Sequence, residues 1–62
     1  MKNMQEIHAF VANLTLHADN EPITYNDAFI AITEWTKEGI EIPEGLTAQI
    51  LADTFNGMIA NA

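Results

Sequence analysis

The chain has no cysteine to staple it, and at 62 residues that absence narrows what it can fold into more than any other feature. A domain of this size hides only about 60% of the surface its unfolded chain exposes. With no disulfide framework and no thiolate metal cage, stability has to come from well-packed helices or from self-association. The chain is 48% hydrophobic, too apolar to stay disordered despite its charge, and shows no internal repeat or low-complexity tract. It reads as a single helical domain, residues 1–62.

Helical periodicity is plain in three places. From Asn3 to Ala18, the residues Met4, Ile7, Val11, Leu14 and Ala18 recur at spacings of 3, 4, 3 and 4, with Phe10 on the flank. Asp19-Asn20-Glu21-Pro22 ends that stripe. Thr24 then stands as an N-cap with Asp27 in the capping-box position, and Ile23 and Ala28 occupy the staple positions. Tyr25, Ala28, Phe29, Ile32 and Trp35 form one wide apolar face, and Gly39 falls where a helix exit wants a left-handed residue, followed by Ile40 at C″ opposite Trp35 at C3. After Glu41-Ile42-Pro43-Glu44-Gly45, Thr47 caps a third helix between staple residues Leu46 and Leu51. Its buried side holds Leu51, Phe55 and Met58, flanked by Ala48, Ile59 and Ala62. The spacing thus predicts an all-α fold, a small three-helix bundle over 3–18, 25–38 and 48–60.

Some apolar residues do not fit a lone bundle. Leu16 points almost opposite the Met4/Ile7/Val11/Leu14 stripe, with Ala9 and Ala12 on the same side, and Ile30 is displaced from the face of helix two; Ile50 leans away from the Leu51/Phe55/Met58 line. Single exposed apolar side chains are normal on any surface. In a chain this small, however, Ala9, Ala12, Leu16 and Ile30 are read as an interface, in a homodimer or with another protein.

Charge excludes several function classes. Nine acidic residues stand against Lys2 and Lys37, a formal charge of −7, which opposes direct binding to nucleic-acid phosphates or anionic membranes. Helix three offers no lysine or arginine to a phosphate or a guanine, which argues against helix-turn-helix reading of DNA. Glu6, His8, Asn13 and His17 interrupt any signal-like run, and no stretch reaches the roughly 18 to 20 apolar residues of a membrane span. The expectation is a soluble, cytoplasmic protein. Asp27, Glu34 and Glu38 fall at offsets of 7 and 4, one row on helix two that rises about 10 Å and then about 6 Å, and Glu41 and Glu44 extend it. Such a row is either a solvated face or an imitation of a phosphate backbone.

No residue set carries catalysis, a cofactor or a metal. His8 and His17 are half a turn out of phase, no HExxH or i, i+4 ligand pair occurs, and Asp19-Asn20-Glu21 lacks the glycine of a calcium loop. No phosphate loop, nucleophile elbow or tight acid pair is present. Trp35 and Tyr25, the large amphipathic aromatics, are read as core and core edge, or else as interface anchors.

With Ile23-Thr24-Tyr25-Asn26-Asp27-Ala28-Phe29, Glu34-Trp35 and Gly39-Ile40-Glu41-Ile42-Pro43-Glu44-Gly45-Leu46 in view, the chain resembles the small acidic accessory proteins of temperate lambdoid bacteriophages, those made early from the region between the exonuclease and excisionase genes. The resemblance spans most of the chain and rests on size, acidity and helical plan. It implies an early protein of the bacterial host cytoplasm that binds a host or phage protein and biases the choice between lysis and lysogeny; it transfers no site residues. The expected function is a non-enzymatic protein–protein interaction module, dimeric, with a protein partner. The alternative is an acidic inhibitor that mimics DNA.

Overall fold

The computed structural model describes residues 3–16, 19 and 21–61. Among them are three helices, α1 (Asn3–Thr15), α2 (Tyr25–Lys37) and α3 (Ala48–Ala60), and no strand. They form a small three-helix bundle whose Cα radius of gyration of 10.9 Å matches the about 10.6 Å of a compact chain this long.

Local chemistry sets the helix ends. At the start of α2 the Asp27 N–H donates to Thr24 Oγ1 and the Thr24 N–H donates back to Asp27 Oδ2, both at 3.1 Å, a complete capping box. At its end Gly39 takes φ +78°, its N–H reaches the Thr36 carbonyl at 3.2 Å, and the Ile40 N–H reaches the Trp35 carbonyl at 2.9 Å. That pair of bonds is the Schellman ending predicted for this glycine. Thr47 caps α3 by accepting the Ile50 N–H at 3.2 Å. Just before it, the Leu46 N–H closes a turn onto the Pro43 carbonyl at 3.2 Å, with Gly45 at φ +89° in the position that a type II turn reserves for glycine.

Helix α1 is shorter than the spacing predicts. Thr15 Oγ1 and the Leu16 N–H both donate to the Ala12 carbonyl, at 2.7 and 3.3 Å, so a side chain competes with the backbone ladder where the helix stops. Leu16 is therefore a turn residue; His17 and Ala18 lie outside the described residues.

Helix α3 is the shared partner. It packs against both α1 and α2, whereas no described Cα of α1 lies within 8 Å of one in α2. The buried core accordingly draws four residues from α3 (Ala48, Leu51, Ala52, Phe55), two from α1 (Ile7, Val11) and one from α2 (Ala28). Three of the seven are alanines, which let α2 and α3 approach closely and leave Ile7, Val11 and Leu51 as the largest fully enclosed side chains. Ile50, which its helical angle turns away from the main line, nevertheless packs against this core.

Two expected core residues are not covered. Tyr25 and Phe29 are 56% and 55% exposed, because α3 meets α2 on the side of Ala28 and both aromatics stand about 60° and 100° round the helix from it. Met4, at the start of the α1 stripe, is also exposed.

Candidate interaction surface

Because α1 and α2 lean on α3 while their backbones stay apart, a cleft runs between them with α3 as its floor, bridged where the Phe10 and Trp35 side chains meet. One part of it is a hollow of about 340 Å³ lined by Asn13 and Leu14 of α1, Ile23, Asp27, Ala31 and Trp35 from and before α2, and Leu51 and Phe55 beneath. Apart from Asn13 and Asp27 every lining side chain is apolar. A second hollow of about 420 Å³ is lined by Glu6, Phe10, Glu41, Ile42, Pro43 and Glu44. Between the two, the Phe10 and Trp35 rings meet edge to face with centroids 5.4 Å apart, Phe10 facing the acidic hollow and Trp35 the apolar one.

The acidic row of α2 borders this cleft. Asp27 lines it directly, and Glu34 and Glu38 lie within about 20° of Asp27 around the helix, so the three share one rim. All are exposed, and Asp27 also holds the capping box. Glu41 and Glu44 do not continue straight along α2: Gly39 turns the chain, and both residues line the second hollow together with Glu6. Glu6, Phe10 and Asn13, spaced 4 and 3, form the side of α1 that faces the cleft. Reading each helix alone finds Phe10 on the flank of its stripe and passes over Glu6, because a cleft between two helices has no signature within either.

The four apolar positions expected at an interface are all exposed: Ala9, Ala12 and Leu16 in and after α1, with Leu16 78% exposed, and Ile30 in α2, 51% exposed. The structure places them on two helices whose backbones do not approach. Ile30 lies about 100° round α2 from Phe29 and about 140° from Tyr25, on the side of Asn26 and Lys37, so the three exposed apolar residues span a broad arc of the helix. Thr33 sits between Phe29 and Ile30 and turns its hydroxyl back onto the Phe29 carbonyl at 2.9 Å, while Asn26 and Lys37 stand exposed on the same arc.

His8 is exposed, and His17 lies outside the described residues. Among the described residues no group of three or more His, Asp or Glu is placed to hold a metal ion, and no helix is long and apolar enough to cross a membrane. Comparison of the chain with protein-family models, with curated proteins and with solved structures finds no match.

Proposed function

We propose that the chain is a non-enzymatic protein–protein interaction module that pairs with a second copy of itself through the outer face of α2 and offers the α1/α2 cleft to another protein. The observation that carries this reading is the exposure of Tyr25, Phe29 and Ile30, each more than half open to solvent, on a single 13-residue helix. Charge supports a second copy as the occupant of that face. Tyr25 and Phe29 stand about 160° round α2 from Asp27, clear of the acids, while Ile30 lies about 40° from Glu34 and about 20° from Lys37, so that a lysine stands beside the one carboxylate that borders the pairing face.

In the setting implied by the resemblance to early phage accessory proteins, the other protein is a host or phage component. The DNA-mimic alternative draws less support, because Asp27 is engaged in its cap and the row bends away from a straight line after Glu38.

Sedimentation velocity over a dilution series tests the pairing. The wild type shifts from monomer to dimer as concentration rises, and Ile30→Glu remains monomeric with an unchanged helical circular-dichroism spectrum. A wild type that stays monomeric up to millimolar concentration contradicts the pairing.

A further inference from the structure

We infer that the α1/α2 cleft is a receptor groove for a basic amphipathic helix of a partner protein; this rests on the interaction-module reading and specifies the chemistry of the partner. The walls and floor of the apolar hollow, with Leu14, Ala31, Trp35 and Phe55 among them, suit aliphatic anchors. An amphipathic helix presents such anchors at i, i+3, i+4 and i+7 when it lies in a groove.

The rims decide the sign of the partner. Asp27, Glu34 and Glu38 run along one edge over about 16 Å, three helical turns, and Glu6, Glu41 and Glu44 gather at the other hollow. An occupant with lysines or arginines along one side of its apolar stripe and at the end nearer the second hollow answers these carboxylates. A second copy of this chain does not, since it has only Lys2 and Lys37 to set against nine acids. A small cation or an apolar small molecule could engage one hollow but not a charged edge three turns long. Electrostatic attraction of this kind speeds encounter and selects partners, and it weakens with salt.

Trp35 is the only tryptophan and it lines the cleft, so its emission reports occupancy. The probe is a Trp-free synthetic peptide of leucine and lysine with leucines at i, i+3, i+4 and i+7. Its controls are a permuted peptide of identical composition and a leucine–glutamate peptide with the same apolar stripe. The expected result is a saturable blue shift of Trp35 with the first peptide, about tenfold weaker or absent with the permuted one and absent with the leucine–glutamate one. The exposed-site double variant Glu34→Lys/Glu38→Lys weakens the response by about tenfold or more, as does Ala31→Glu, which puts a charge in the groove wall.

Equal responses to all three peptides, or a response indifferent to Glu34→Lys/Glu38→Lys, overturn the inference. A Trp35 shift that follows the protein's own concentration with no peptide present also overturns it, because the second copy is then the occupant. If the peptide fails while Ile30→Glu still abolishes pairing, the groove assignment falls and the interaction module stands. If pairing fails while the peptide binds, the reverse holds.

Discussion

Asn56 ties the α1–α2 connection to α3. Its Nδ2 donates to the Ile23 carbonyl at 2.9 Å and its Oδ1 accepts the Ile23 N–H at 2.8 Å, so one side chain satisfies both polar groups of a partly buried backbone residue. Replacing it leaves both groups without partners where solvent reaches them only in part. Asn56→Leu is therefore expected to lower stability by about 1–2 kcal/mol in urea unfolding, more than a lost surface contact would. Nothing in the sequence distinguishes this asparagine from the exposed polar residues of α3, because its partner is a backbone 33 residues away. Gly57 shows the opposite case. It lies on the exposed side of α3 with no atom within 4 Å of where a Cβ would stand, so Gly57→Ala is expected to raise stability by about 0.5–1 kcal/mol through helix propensity alone.

At the scale of the elements, the sequence is legible where a signal is local. The capping box of Thr24 and Asp27, the left-handed Gly39 and the Thr47 cap each lie within a few residues of the end they define, and all are found where the pattern puts them. Thr24→Ala is expected to cost about 1 kcal/mol, and Gly39→Ala about 1–2 kcal/mol because alanine must adopt the same positive φ; thermal unfolding of the two variants checks both. The end of α1 is less legible, since Thr15 can either continue a helix or bond back to its own turn, and here it bonds back to Ala12. The same limit explains Tyr25 and Phe29. The apolar surface of α2 is wider than one neighbouring helix can cover, and its periodicity does not say on which side that neighbour lies.

The whole molecule combines a small core with a one-sided charge. Among the described residues the seven buried ones, three of them alanine, enclose little apolar surface, while a net charge of −7 makes the compact state repel itself. Raising ionic strength from about 0.01 to about 0.15 M shortens the screening length from about 30 to about 8 Å. The thermal midpoint is expected to rise over that range, and an unchanged midpoint would show that the acids are too dispersed to matter. The three-helix plan was legible from periodicity and punctuation, but the cleft was not, because it arises from α3 holding α1 and α2 apart. The exposure of Ile30 was legible from its helical angle, whereas that of Tyr25 and Phe29 became visible only once the position of α3 was known. The central claim is that this face of α2 joins two copies, and amide chemical shifts followed across a dilution series address it residue by residue. Concentration-dependent shifts are expected to gather at Tyr25, Phe29, Ile30 and Thr33; shifts that gather elsewhere, or no shift at any concentration, mean that this face of α2 does not join two copies.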